Sequence, residues 1–245
     1  MADERDTDKL YSQPLNRVED FKFDDKVAAV FDNMIHRSVP GYDAIIAMIG
    51  IMAEKYLVPG SYCYDLGCSL GVATSAICAR MPHNDYQVIA VDNSQAMIDA
   101  MHSRIQSHNS RDRIELKCED VRNIGVSNAS FVVMNFVLQF IPQDERQAVL
   151  DNISHGMLPG GVFILSEKIS FDDAAEQRFQ IDMHHEFKKL NGYSELEISQ
   201  KRAALEKILI PDNIAEHQAR LRDAGFSRSY SWFQCFNFIS IVAFK

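Results

Sequence analysis

Short apolar runs alternate with amphipathic segments over the middle of the chain. The apolar runs predict five strands, at residues 62–66, 88–92, 114–118, 130–135 and 162–167. Helical periodicity predicts helices over 72–80, from Ser94 as an N-cap to 105, and from Pro142 to about 155. Strands that alternate with helices predict an α/β domain with a mostly parallel, doubly wound sheet.

The two ends of the chain depart from this alternation. Residues up to about 22 form a polar arm, and the Leu-Pro-Gly-Gly run at 158–161 predicts a turn before the fifth strand. Two β-rich runs, 228–235 and 237–244, predict an antiparallel hairpin at the edge of the sheet. Further helical patterns lie at 25–36, 42–56, 172–208 and 212–224.

Length and composition fit one domain. A chain of 245 residues that is 47% hydrophobic can enclose a full core. We therefore predict a single domain over 1–245. Its expected parts are a polar arm with a helical cap (1–58), a ligand-binding core (59–167), a helical insertion (168–210) and a last helix with the hairpin (211–245).

Charge and cysteine content bear on partners and location. The net charge of −9, the pI of about 5.3 and the lack of a Lys/Arg run disfavour direct nucleic-acid binding and favour a small-molecule substrate. No apolar stretch approaches a membrane span, and the polar start at residues 1–6 is unlike a signal peptide. The five cysteines are odd in number and include no CxxC pair, which predicts reduced thiols in a cytoplasmic protein.

A glycine-rich turn follows the first predicted strand. The pattern Asp65-x-Gly67-x-x-x-Gly71 opens a helix, and the next strand ends in Asp92, which is placed to accept hydrogen bonds from ribose hydroxyls. A dinucleotide fingerprint would carry glycine at Ser69. The turn instead resembles motif I of the Rossmann-like S-adenosylmethionine (SAM) methyltransferases. The alternative is an ordinary strand-to-helix connection.

Polar residues at the ends of four strands define the candidate ligand site. In a doubly wound sheet they meet at one edge. Residues 67–69 would face the amino-acid part of SAM, Asp92 the ribose, Asp120 the adenine edge and Asn135 the methionine moiety. The alternatives are that Asp120 caps a turn with Arg122 and that Asn135 satisfies turn backbone groups.

Several longer segments carry a more specific resemblance. They are Arg-Ser-Val-Pro-Gly-Tyr at 37–42, the turn at 65–71, Leu-Ser-Glu-Lys at 165–168, Met-His-His at 183–185, Asn-Gly-Tyr-Ser-Glu-Leu-Glu-Ile-Ser-Gln-Lys-Arg at 191–202 and Trp-Phe-Gln-Cys-Phe-Asn-Phe at 232–238. Together they closely resemble the carboxy-S-adenosylmethionine (carboxy-SAM) synthase family, from about residue 8 to 245. The resemblance implies the seven-stranded, Rossmann-like SAM-methyltransferase fold.

The resemblance also implies a reaction. Members of the family convert SAM and prephenate to carboxy-SAM and phenylpyruvate, and a separate tRNA-modifying enzyme, a carboxymethyltransferase, uses the product to make 5-oxyacetyluridine at the wobble position. Prephenate loses carbon dioxide and hydroxide, the hydroxide removes a proton from the SAM methyl, and the resulting carbanion captures the carbon dioxide. The protein must then supply a closed pocket and cationic recognition of carboxylates rather than a base.

The resemblance assigns roles by position. The implied SAM contacts are Tyr42, Gly67, Cys68, Ser69, Asp92, Asn93, Asp120, Val121 and Asn135. Arg202 is the implied catalytic residue and would bind the new carboxylate, within its own subunit or across a homodimer. Val121 is a mild departure, since isoleucine also occurs there. From pattern alone, Arg202 belongs to a solvated charged face with Lys201 and nearby glutamates.

No metal is expected. His184 and His185, with Asp182 and Glu186, occupy adjacent helical positions that do not converge on one ion. Two other functions stay open. One is a conventional SAM-dependent small-molecule methyltransferase, and the other is a non-catalytic SAM-binding partner of a tRNA-modifying enzyme.

Overall fold

The computed structural model describes residues 7–245, in which helices cover both faces of a seven-stranded sheet. The strands are β1 (Ser61–Leu66), β2 (Tyr86–Asp92), β3 (Ile114–Cys118), β4 (Ala129–Asn135), β5 (Met157–Lys168), β6 (Arg228–Cys235) and β7 (Phe238–Phe244). The helices are α1 (Asp25–Ser38), α2 (Tyr42–Tyr56), α3 (Val72–Arg80), α4 (Gln95–Ile105), α5 (Arg146–Gly156), α6 (Ala174–Leu190), α7 (Glu195–Leu205) and α8 (Ile214–Asp223). The predicted polar start at 1–6 lies outside the described residues.

The strand order places a ligand-binding crevice beside β1. The strands lie in the order β3-β2-β1-β4-β5-β7-β6. The first five of these pair in parallel, whereas β7 is antiparallel to both of its neighbours. The order reverses between β1 and β4, and ligands of such sheets bind outside the carboxyl ends of the strands at that point. The predicted fold class, with its antiparallel C-terminal hairpin, is confirmed.

The central strand β4 shows why the parallel strands appear in the sequence as continuous apolar runs. Phe131, Val132, Val133 and Met134 are all fully buried. Val132 and Met134 pack on the side of α5 and α8, and Phe131 and Val133 on the side of α2 and α3. Because helices cover both faces, both sides of the strand are apolar. The polar side chain of Asn135 therefore comes only at the end of the strand, after this apolar run.

The helical stretch predicted at 172–208 divides into two helices. Gly192 lies between α6 and α7 with a φ of 85°, a left-handed conformation that ends a helix. Ser194 then begins α7 with a capping box, in which its side chain accepts from the Glu197 backbone and the Glu197 carboxylate accepts from the Ser194 backbone. Within residues 7–245, none of the helices combines the length and apolar character that a membrane span requires.

Two local predictions were wrong. Residues 158–161 are not a turn before β5 but part of that strand, which begins at Met157. The register with β4 shifts there, and Gly160 (φ 81°) donates to the Lys245 carbonyl at 3.1 Å, so the Pro-Gly-Gly run forms an irregular strand start. Pro142 opens a turn, in which Glu145 donates to the Pro142 carbonyl at 3.0 Å, and α5 begins only at Arg146.

Candidate SAM-binding site

A cavity of about 420 Å³ lies at the carboxyl ends of β1, β2 and β4. The turn after β1 forms its floor, and the N-terminal cap supplies Phe23, Met34 and Tyr42 to its walls. Nine of the sequence-predicted site residues line it, namely Tyr42, Gly67, Cys68, Ser69, Asp92, Asn93, Asp120, Val121 and Asn135. The structure therefore brings residues from four strand ends and the cap around one space. Their individual contacts with a ligand stay predictions.

The turn after β1 requires its first glycine. Gly67 has a φ of 79°, and a Cβ built there would lie 2.1 Å from Cγ2 of Val137. The backbone amides of Gly67 and Cys68 both donate to the Val91 carbonyl, at 2.7 and 2.9 Å, which ties the turn to β2. The turn thus approaches the β4 loop more closely than any side chain would allow.

Asp65 holds the turn against the start of α3. Its buried carboxylate accepts from the Thr74 amide at 3.1 Å and from the Thr74 hydroxyl at 2.6 Å. Burial raises the pKa of Asp65 to about 6, although both Thr74 bonds oppose the rise. Asp65 also borders the cavity. It appeared in the sequence motif, but its link to Thr74 had no sequence signal.

Asp92 joins two loops at the end of β2. One carboxylate oxygen accepts from the Ser69 amide at 2.9 Å, and the other accepts from the Ser94 amide at 2.9 Å. Burial raises its pKa, while these two bonds oppose the rise. A carboxylate offers about four acceptor positions, so two are still open for the vicinal hydroxyls of a ribose. The geometry therefore fits the predicted ribose contact.

The carboxylate of Asp120 is already engaged by Arg122. It accepts from the Arg122 amide at 2.9 Å and from the guanidinium at 2.9 and 2.7 Å. The side-chain hydrogen bond from Arg122 lowers the pKa of Asp120. The turn-capping alternative therefore describes this side chain. Its neighbour Val121 is buried at the cavity wall and presents an apolar surface suited to a base.

Asn135, at the end of β4, supplies the clearest test of ligand fit. Its Oδ1 atom is buried and has no hydrogen-bond partner among the described residues. An unpaired buried amide oxygen is costly, which indicates that a donor from outside the chain completes it. The ammonium group of an amino acid is such a donor. The alternative, that Asn135 satisfies turn backbone groups, does not hold for this oxygen.

Tyr42 closes the cavity from the cap side. It begins α2 directly after Gly41, whose φ is 75° and where an added Cβ would lie 2.3 Å from the ring of Phe233. The Tyr42 ring packs edge-on against His36, with ring centroids 5.2 Å apart, and burial raises its pKa. Tyr42 is therefore a rigid wall that stays protonated at neutral pH.

Arg202 does not line the main cavity. It is exposed on α7 and borders a second cavity of about 240 Å³, together with His185 and Glu206. The two cavities share one wall, formed by Lys168, His184, Lys188, Leu205 and Leu209. The structure thus places Arg202 next to the site, on the far side of that wall. Its carboxylate-binding role stays a prediction.

Sequence reasoning missed the two lysines of the shared wall. Burial lowers the pKa of Lys188 to about 7 and that of Lys168 to about 8. Lys168 ends β5, so the strand-end rule could have found it. Lys188 had no such signal, because the Lys188-Lys189 pair is typical of a solvated helix face.

The nearby histidines are not arranged as ligands of one ion. His184 Nε2 lies 2.8 Å from the Ser38 carbonyl oxygen, and burial lowers the pKa of His184 to about 2. His185 lies at the edge of the second cavity, with its ring centroid 6.4 Å from that of His184. Among residues 7–245, no group of three or more His, Cys, Asp or Glu side chains is placed to hold a metal ion. His184 therefore acts as a neutral wall residue.

The fold and the glycine turn define a class of protein. A methyltransferase-domain family model matches residues 64–161. The fold is similar to that of a Methanococcus maripaludis protein assigned to the SAM-dependent methyltransferases (TM-score 0.58, 19% identity, covering 94% of this chain and 96% of that one). It is also similar to human N-acetylserotonin methyltransferase in complex with SAM (TM-score 0.59, 13% identity, 90% and 55% covered). The protein thus has the SAM-methyltransferase fold.

Relatives in sequence define the family more narrowly. A Geobacter sp. (strain M21) protein called carboxy-S-adenosyl-L-methionine synthase is 53% identical over 98% of this chain and 99% of its own length. The protein of the same name from Escherichia coli K12 is 50% identical over 97% of this chain and 96% of its own length. The chain therefore belongs to the carboxy-S-adenosyl-L-methionine synthase family and is an enzyme of the SAM-dependent transferase class.

Proposed function

We propose that the protein converts SAM and prephenate to carboxy-SAM, phenylpyruvate and water. The observation that carries the proposal is the cationic wall that the SAM-type cavity shares with the second cavity beside Arg202. A simple methyl transfer requires a cation for the SAM carboxylate at most. A reaction whose second substrate and product carry further carboxylates requires additional cations.

Each side chain at the strand ends has a proposed task. Asp92 binds the ribose, Asn135 accepts from the SAM ammonium group, and the amides of the β1 turn approach the amino-acid part. Prephenate supplies the carbon dioxide and the hydroxide that accepts the methyl proton, so atoms and charge balance without a protein base. The aromatic and aliphatic walls then exclude bulk water.

The test is mass spectrometry of the reaction products. Purified protein is incubated with SAM and prephenate, with SAM alone, and with SAM and phenylpyruvate. We expect a product heavier than SAM by one carbon dioxide in the first mixture only, formed in equal amount with phenylpyruvate. A conventional methyltransferase forms S-adenosylhomocysteine only when a methyl acceptor is present, so S-adenosylhomocysteine in the mixture with phenylpyruvate would support that function. No turnover in any mixture would refute the proposed function, because a methyltransferase without its acceptor and a non-catalytic SAM-binding partner both give no product there.

We further propose a homodimer in the cytoplasm whose product supplies a tRNA carboxymethyltransferase for wobble uridine modification. The exposed apolar side chains Phe179 and Leu190 on α6, and Leu196 on α7, support an interface that involves these two helices, the second of which carries Arg202. Light scattering measures the subunit number. If Arg202 acts across the dimer, mixed subunits of Arg202→Leu and Asp92→Asn regain part of the activity that each variant lacks.

A further inference from the structure

The wall shared by the two cavities carries positive charge that the described residues do not neutralise. Lys188 is only 8% exposed, yet the charged groups that act on it are Lys201, Lys168 and Arg202, all of them cations. Arg202 likewise acts on Lys168. Among residues 7–245, no carboxylate forms an ion pair with Lys168 or Lys188. A buried ammonium group in such surroundings is unfavourable unless an anion joins it.

Lys201, the third buried lysine of the cavity, has partners within the chain that compensate its charge. Lys201 donates to the Ser38 hydroxyl at 3.0 Å and lies 3.5 Å from the Asp8 carboxylate. Its charge is therefore balanced within the chain. Lys168 and Lys188 make no comparable contact in the described part of the chain, although they lie in the same cavity. An anion from solution would therefore stabilise both lysines in their charged form.

The acidic side chains of the cavity do not supply such an anion. Asp65 is bonded to Thr74, and Asp92 to the amides of Ser69 and Ser94. Asp120 is paired with Arg122. These three carboxylates lie at or near the ends of β1, β2 and β3, whereas Lys168 and Lys188 line the wall shared with the second cavity. Within the described chain, Glu206 lines that second cavity but forms no ion pair with either lysine. An anion drawn to the lysines would lie between the proposed SAM site and Arg202.

We propose that Lys168 and Lys188 form the carboxylate-binding site of the second substrate, a dianionic organic acid. Two ammonium groups match two carboxylates, and both lysines line the same cavity as Asn135, so an acid bound to them would share that cavity with SAM. Naming this acid as prephenate rests on the proposed function. The anion site itself does not depend on that name.

The carboxylate of SAM is the other source of the same chemistry, so the experiment separates the two. Lys168→Met and Lys188→Met are compared with Lys189→Met, a neighbouring exposed lysine that pairs with Glu186 and Glu195. The SAM dissociation constant is measured by calorimetry without prephenate, and KM and kcat for prephenate are measured from carboxy-SAM formation. We expect each cavity variant to raise KM for prephenate about 10- to 100-fold, with SAM affinity changed less than about threefold. Lys189→Met should match the wild type.

Two readouts keep this test independent of turnover and of folding. Malonate and prephenate, added without SAM at constant ionic strength, should raise the melting temperature of the wild type but not that of Lys188→Met. Lys188→Met should itself melt higher than the ligand-free wild type, because it removes an uncompensated buried charge; a purely structural lysine would give the reverse.

The outcomes are separable. Unchanged KM in both cavity variants, or a loss confined to SAM affinity, would overturn the anion site. A wild type that makes no carboxy-SAM from prephenate would refute the proposed function. If malonate then still protects the wild type and not Lys188→Met, the anion site stands with a different acid. No protection of the wild type by either acid would overturn it.

Discussion

Substitution of Gly67 by alanine tests whether the β1 turn depends on a missing side chain. Gly67 has a φ of 79°, which costs an L-residue about 1–2 kcal/mol. The new Cβ would also lie 2.1 Å from Val137 Cγ2, in a packed wall where overfilling costs about 1–3 kcal/mol. We therefore expect Gly67→Ala to lower the free energy of unfolding by about 2–5 kcal/mol and to weaken SAM binding, since relief of the clash moves the turn.

Gly60→Ala is the matched control. Gly60 has a φ of 74°, but an added Cβ there would meet only Asp85 Oδ2, at 4.0 Å. Gly60→Ala should lower the free energy of unfolding only by the backbone cost of the positive φ, about 1–2 kcal/mol, and should leave SAM affinity unchanged. Urea denaturation gives both free energies, and calorimetry gives SAM affinity. Equal losses of unfolding free energy in Gly67→Ala and Gly60→Ala would refute the steric reasoning. It would also be refuted if the losses of Gly67→Ala and Val137→Ala simply added in the double variant, because removing the Val137 side chain should relieve the clash.

Three further predictions address the site. Asp92→Asn should weaken SAM binding about 10- to 100-fold, because it replaces a charged acceptor of the ribose hydroxyls, and calorimetry measures the change. Arg202→Leu should keep SAM affinity but lose the preference for carboxy-SAM over SAM; an unchanged preference in a competition assay would contradict its role. The third prediction concerns pH. The pKa of Lys188 is about 7 in the folded protein and 10.5 in the unfolded chain, so the unfolded chain takes up the proton first as pH falls. From pH 10 to 7 the free energy of unfolding of the wild type should therefore fall, relative to that of Lys188→Met, by up to about 1.4 kcal/mol per pH unit, and it should not change further below pH 7. Denaturation curves across that range measure the difference.

Local pattern was sufficient for much of the fold. The helix predicted at 42–56 is α2, and Ser94 caps α4 by accepting from the Met97 amide, because both signals depend on neighbours within one or two turns. The error at residues 158–161 has a non-local cause. Turn-forming residues there pair instead with the backbone of Lys245, at the far end of the chain. Sequence pattern near 160 carries no information about that partner.

The strand-end residues of the site were also predictable, because their signal is local as well. Gly67, Asp92 and Asn135 stand at strand ends, so the strand pattern alone brought them to one edge of the sheet. The sequence pattern of α6 and α7 is typical of solvated, charged helix faces, but not all of their charged residues are exposed. Lys188 and Lys201 are buried, whereas their neighbours Lys189 and Arg202 are exposed. Lys201 is buried against Ser38 and Asp8, partners that lie far away along the chain.

The contrast between the two lysines of α6 and α7 leads to a last prediction. Lys201 lies 3.5 Å from Asp8, a carboxylate that is 1% exposed and that also accepts from the Leu10 amide at 3.2 Å and from the Tyr193 hydroxyl. Lys201→Met would leave this carboxylate buried without its cation, which costs about 3–5 kcal/mol. It should therefore lower the free energy of unfolding, whereas Lys188→Met should raise it.

Urea denaturation of Lys201→Met and Lys188→Met under the same conditions tests this prediction. Asp8→Asn combined with Lys201→Met should recover much of the loss, because it removes the stranded charge. If both lysine variants are destabilised alike, Lys188 is a structural residue with a partner in the folded chain. If only Lys201→Met is destabilised, the two buried lysines differ as their surroundings indicate. Lys201 then connects the N-terminal arm to α7 through its ion pair, and Lys188 is available to bind an anion.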